Sequence, residues 1–116
     1  MTREFVRLHE FEKQSKKIGL TEDDVRSIEN IILDNPTIGD VIAGTGGIRK
    51  FRFALDNRGK RGGARVVYID FTIFNKVYLL TAFAKNETDN LSKAERNELF
   101  NLVSLLKSEL RMRDGK

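Results

Sequence analysis

Apolar positions recur along this chain with two different periods, and the changes of period divide it into elements. Between Phe11 and Ile18, the residues Phe11, Ser15 and Ile18 share one side of a helical wheel, while Lys13, Lys16 and Lys17 occupy the other. This spacing predicts a short amphipathic helix that ends at Gly19. A second helix follows. Thr21 is placed to cap it, and Glu22, Asp23 and Asp24 fall at the positive end of its dipole. Val25, Ile28 and Ile32, with Ile31 beside them, make its apolar stripe. Asn35-Pro36 stops it, because the residue before proline avoids helical geometry.

Beyond the loop that follows, the period changes. Ile48 to Leu55 reads as a strand, and from Lys50 onward its period is two: Phe51, Phe53 and Leu55 on one face, Lys50 and Arg52 on the other. Asp56 to Gly63 is a polar, glycine-rich hairpin loop, and Arg65 to Phe71 returns as the next strand. A turn at Asn75-Lys76 leads into Val77 to Ala84, the most hydrophobic strand, expected near the centre of the sheet. The short links favour an antiparallel meander. Ser92 and Glu95 have capping-box spacing, and Leu99, Leu102, Val103, Leu106 and Leu110 recur at helical intervals, predicting a helix from about Lys93 to Arg111. Phe5 to Leu8 adds a short strand near the N-terminus. The order β-α-α-β-β-β-α predicts an α+β fold: a small antiparallel or mixed four-stranded sheet, two N-terminal helices and a C-terminal helix.

The 116 residues suit one domain, 1–116, with one modest core. There is no cysteine, so disulfides and zinc-thiolate sites are excluded. The first residues lack the apolar run of a signal peptide, and no apolar segment is long enough to span a bilayer. The expectation is a soluble, cytoplasmic protein with no membrane partner.

Charge changes the picture more than composition does. The formal net charge is +4, yet Arg49 to Arg65 alone carries seven Lys or Arg against one Asp, a net of +6. The rest of the chain therefore sums to −2. Seven of the nine glycines also lie between Gly39 and Arg65. Basic side chains carried on strands and a glycine-rich hairpin suit a polyanion. The plainer reading, a solvated charged face, has equal standing on composition alone.

The chemistry that remains is narrow. His9 is the only histidine and stands far in sequence from the basic stretch. No His pair and no metal-ligand cluster is present, so neither a metal nor another cofactor is expected. Asp23 and Asp24 are explained by the helix start. Gly44-Thr45-Gly46-Gly47 looks like a phosphate loop only superficially: it lacks the P-loop spacing and its Lys-Ser/Thr ending, and it precedes a strand. Lys50, Arg52, Arg65 and Lys85, by contrast, converge on one groove if the strands pair as predicted. Arg58, Lys60 and Arg61 sit on the loop between them, within reach of a phosphate backbone. If the polyanion is RNA, its own 2′-hydroxyl can serve as nucleophile, and cleavage then needs a base, stabilised phosphate charge and an acid for the leaving 5′-oxygen. A lysine crowded by other cations has its charged form disfavoured, which suits a base. Arginine holds phosphate oxygens through its planar fork. Phe83 is placed either to stack on a base or to pack in the core.

Asn35-Pro36, Gly39-Asp40-Val41-Ile42, Gly44-Thr45-Gly46-Gly47-Ile48-Arg49-Lys50, Gly59-Lys60-Arg61-Gly62-Gly63, Arg65-Val66-Val67-Tyr68 and Ala84-Lys85-Asn86-Glu87 together resemble the HigB-like branch of the RelE/ParE toxin superfamily. The resemblance covers about half of the chain at motif level. It implies a RelE-like fold and a type II toxin that cleaves mRNA in the ribosomal A site as a metal-independent endoribonuclease. It also implies a cognate, HigA-like antitoxin. Lys50 and Arg52 match the basic pair on the family's catalytic strand, Arg65 the arginine opening the next strand, and Lys85 the basic residue after the last central strand. These four are the implied catalytic set, with Arg49, Arg58, Lys60, Arg61 and Phe83 as RNA contacts. Some ribonuclease members carry a downstream Tyr, and this chain has none after Tyr78. The general base is therefore Lys50 or Lys85. Two other readings compete: a non-enzymatic ParE-like inhibitor of DNA gyrase, and an RNA- or ribosome-binding module without catalysis.

Overall fold

The middle of the molecule is a five-stranded mixed sheet with helices on both faces. The computed structural model describes residues 2–55, 63–84 and 91–114. The elements run β1 (Glu4–Arg7), α1 (His9–Ile18), α2 (Glu22–Asp34), β2 (Asp40–Val41), β3 (Arg49–Phe53), β4 (Ala64–Phe71), a 3-10 turn (Thr72–Phe74), β5 (Lys76–Ala84) and α3 (Lys93–Asp114). The spatial order is β1-β5-β4-β3-β2. β1 pairs parallel with β5, and the remaining neighbours are antiparallel. The α+β expectation holds, with one strand more than the four predicted. The extra strand is β2, whose two residues are too few to show a period. β5 is internal, but β4 holds the middle position.

Local chemistry fixes the helix ends. The Gly19 cap of α1 has φ 87°, and its N–H donates to the Lys16 carbonyl. α2 opens on a capping box: Asp24 N–H donates to Thr21 Oγ1 at 3.1 Å, and Thr21 N–H donates to Asp24 Oδ2 at 2.8 Å. Losing such a cap costs about 1 kcal/mol. Ser92 and Glu95 form the same reciprocal pair at the start of α3, at 2.9 and 3.1 Å.

Two cores result. Phe11, Ile18, Val25, Ile28 and Ile32 of α1 and α2 pack on Phe51, Val66, Tyr68, Val77 and Leu79 of the sheet. On the opposite face, Val103, Leu106 and Leu110 of α3 cover Ile48, Ile69, Phe71, Tyr78 and Leu80. The helical spacing of Leu99 and Leu102 is also obeyed, although both stay only partly buried.

A β-bulge breaks the simple alternation. Val67 opposes Thr81, but Tyr68 opposes Leu79, so Leu80 is an extra residue in β5. Before the bulge, even-numbered Tyr78 and Leu80 face α3; after it, odd-numbered Phe83 does. Ala82 and Ala84 join the other core. The bulge thus re-aims the last part of β5, a use common near functional sites.

Among the described residues, no helix is long and apolar enough to cross a membrane.

Candidate functional site

Register decides which basic residues meet. Arg52 on β3 opposes Arg65 on β4, and Arg65 opposes Phe83 on β5. One step along the strands, Lys50 opposes Val67, which opposes Thr81. Side chains directly opposite share a face, so Lys50, Arg52, Arg65 and Phe83 all lie on the α3 side. The buried part of α3 sits over the other half of that face, leaving this end partly open. Arg52 is exposed, whereas Lys50, Arg65 and Phe83 are half-buried.

A cleft of about 260 Å³ opens beside this row. Lys50, Val67, Thr81 and Phe83 form its sheet side, and Leu91, Glu95, Glu98 and Leu99 its helix side. A second, shallower depression at the sheet edge touches Lys50, Arg52 and Arg65 from the direction of Gly39 and Asp40.

Arg49 goes elsewhere. It opposes Tyr68, on the α1/α2 face. Its Nη1 donates to the carbonyls of Thr37 at 2.9 Å and Gly39 at 3.0 Å. The buried Tyr68 hydroxyl donates toward Pro36 and Ile38 carbonyls at 3.0 and 2.8 Å. Together these side chains tie the segment after α2 to the sheet. Burial, slightly offset by Arg49, pushes the Tyr68 pKa up to about 12. Arg49, which the resemblance implies as an RNA contact, therefore lies on the opposite face of the sheet from Lys50, Arg52 and Arg65. Arg58, Lys60, Arg61 and Lys85 lie outside the described residues.

Glycines hold β3 at both ends. Gly39 has φ 88°, and a Cβ there would lie 2.1 Å from the Lys50 carbonyl oxygen. Gly63 has φ 66°, and a Cβ there would lie 2.1 Å from the Phe53 carbonyl oxygen. Any other residue at either position displaces β3 backbone.

The segment resembling a phosphate loop has a structural explanation. Thr45 is fully buried, and its hydroxyl donates to the Ile42 carbonyl at 2.6 Å while accepting from Ile48 N–H at 3.2 Å. Ile42 N–H also donates to the Ile48 carbonyl at 2.8 Å. The segment is the closed tip between β2 and β3, tucked under Phe100 and Val103 of α3. It leads directly into β3, which carries Lys50.

A family model described as the RelE toxin of the RelE/RelB toxin-antitoxin system matches residues 3–112. The chain belongs to the RelE toxin family. A solved structure of a mutant of the E. coli toxin RelE in the free state superposes with a TM-score of 0.57 at 15% identity, covering 84% of this chain and 97% of that one. That likeness concerns the fold. This RelE-family protein is a toxin of a toxin-antitoxin system, with an antitoxin as its partner. Sequence reasoning missed two participants of the cleft, Glu95 and Glu98. Glu95 reads only as the capping partner of Ser92 and Glu98 not at all, and only the packing of α3 places both at the cleft.

Proposed function

We propose that this RelE-family toxin is a ribosome-dependent endoribonuclease that cleaves mRNA and so inhibits translation. The observation that carries this reading is the shared face of Lys50, Arg52 and Arg65, with Phe83 beside them. In the proposed reaction the 2′-hydroxyl of one nucleotide attacks the adjacent phosphorus. Lys50 takes its proton, with Lys85 the alternative base. The guanidinium groups of Arg52 and Arg65 hold the non-bridging oxygens as negative charge builds. The bond to the 5′-oxygen breaks, and a protonated cationic side chain returns a proton to it. Arg58, Lys60 and Arg61 are further RNA contacts in this proposal. No metal enters these steps.

Assignment to the HigB-like branch, a HigA-like antitoxin and a cytoplasmic site of action complete the proposal, on the motifs quoted above. The test is primer extension on a reporter mRNA with and without translating ribosomes, comparing wild type with Lys50→Ala and Lys85→Ala. Ribosome-dependent cuts that disappear in either folded variant support the reading. An absence of cuts from folded wild type overturns it and moves the assignment to gyrase inhibition, read by a supercoiling assay, or to plain RNA binding.

A further inference from the structure

The cleft beside the basic row has the wrong lining for a phosphate. Ile42, Val67, Phe83, Leu91 and Leu99 make its walls apolar. Lys50 stands at one side, and Glu95 and Glu98 stand on the α3 side. Its volume, about 260 Å³, lies just under the range of roughly 300–1,000 Å³ that holds drug-sized ligands. A single flat ring system fits that size and that lining. The phosphates of the same strand would remain on Arg52 and Arg65, which are adjacent in register to Phe83.

The two carboxylates differ in what they have left to offer. Glu95 Oε1 already accepts the Ser92 N–H at 2.9 Å as part of the α3 cap. Glu98 is exposed and, among the described residues, makes no hydrogen bond or ion pair. A carboxylate next to a polyanion repels backbone phosphate, so it contributes favourably only toward a donor edge. An ionised carboxylate is an acceptor with two oxygens. Guanine is the one standard base whose Watson–Crick edge carries two adjacent donors, N1–H and the 2-amino group. Adenine and cytosine each place an acceptor beside their amino group, and uracil flanks its single N–H with two carbonyls.

We infer that the cleft between β5 and the start of α3 is a nucleobase slot in which Phe83 supports the ring and Glu98 selects guanine. The inference deepens the ribonuclease reading, since it supplies the base specificity of the same site. Glu98 is a specificity residue here, with no role in the bond-breaking step.

The slot can be tested without ribosomes. Nucleoside 5′-monophosphates of guanine, hypoxanthine, adenine and uracil are titrated into isotope-labelled protein, and methyl shifts of Ile42, Val67 and Leu99 are followed. The guanine nucleotide is expected to bind about tenfold more tightly than the others, the ratio typical of one good bidentate contact. Hypoxanthine, which lacks the 2-amino group, should lose most of that advantage. Glu98→Gln should keep the spectrum of the folded protein and abolish the preference. Equal binding of all four, shifts confined to residues outside the cleft, or a preference retained in Glu98→Gln would overturn the slot. Mapping of mRNA cut sites then separates the two claims. Cuts by wild type whose base preference is unchanged in Glu98→Gln would overturn the slot and leave the ribonuclease standing. Guanine-selective binding by a protein that makes no cuts would sustain the slot and sink the ribonuclease.

Discussion

Arg52 and Arg65 stand directly opposite each other on β3 and β4, facing the same side of the sheet. Like charges in this position disfavour an antiparallel pair by up to about 1 kcal/mol. The arrangement suits an anion held between two planar donors. Replacing either arginine with Gln should therefore lower toxicity on induction in a sensitive host at least tenfold, in a protein whose circular dichroism shows the native fold. Full toxicity in both folded variants would remove this pair from the site.

Arg49 offers the contrasting case, one residue from Lys50 but on the other face. Its two hydrogen bonds to the Thr37 and Gly39 carbonyls hold the segment after α2. Arg49→Ala should cost about 1–3 kcal/mol in urea denaturation, as expected for losing hydrogen bonds made by a charged donor. Affinity for RNA, measured below the unfolding transition, should change far less than in Arg52→Gln. Equal losses of affinity would place Arg49 in the interface.

Thr45 reports on the loop tip. Thr45→Val keeps the shape but strands the Ile48 N–H, which is buried, at a cost of about 1–3 kcal/mol. Thr45→Ser preserves the hydroxyl and should recover most of that loss. Calorimetric unfolding of the two variants distinguishes a hydrogen-bond role from simple packing. A Thr45→Val protein as stable as wild type would refute it.

Tyr68 links the fold to pH. Its folded pKa is raised to about 12 by burial, so the folded state keeps the phenolic proton longer than the unfolded chain does. The resulting contribution to stability is fully present below the ordinary tyrosine value of about 10 and is lost as pH climbs from there through about 12. In a Tyr78→Phe background, tyrosinate absorbance should rise only as far-ultraviolet circular dichroism begins to fall. Titration near 10 with the fold intact would contradict the burial of the Tyr68 hydroxyl.

The element order, the Thr21 cap, the Ser92/Glu95 capping box and the stripes of α1 and α2 were legible because they depend on residues three or four apart. The alternation of Lys50, Phe51, Arg52 and Phe53 likewise named both faces of β3, since a strand's period is local. Its motifs also led to the RelE family, which the comparison over residues 3–112 bears out. Three features belonged to the tertiary structure. β2 exists only because Asp40 and Val41 find Lys50 and Arg49 as partners. Phe83 reaches the basic face because Leu80 is extra in register, and a bulge depends on which strand lies alongside. Glu98 meets the cleft because Val103, Leu106 and Leu110 set how α3 lies on the sheet. Local periodicity fixes which way each side chain points relative to its own backbone. Only long-range pairing and packing decide what stands opposite it, and the chemistry of this site depends on that juxtaposition.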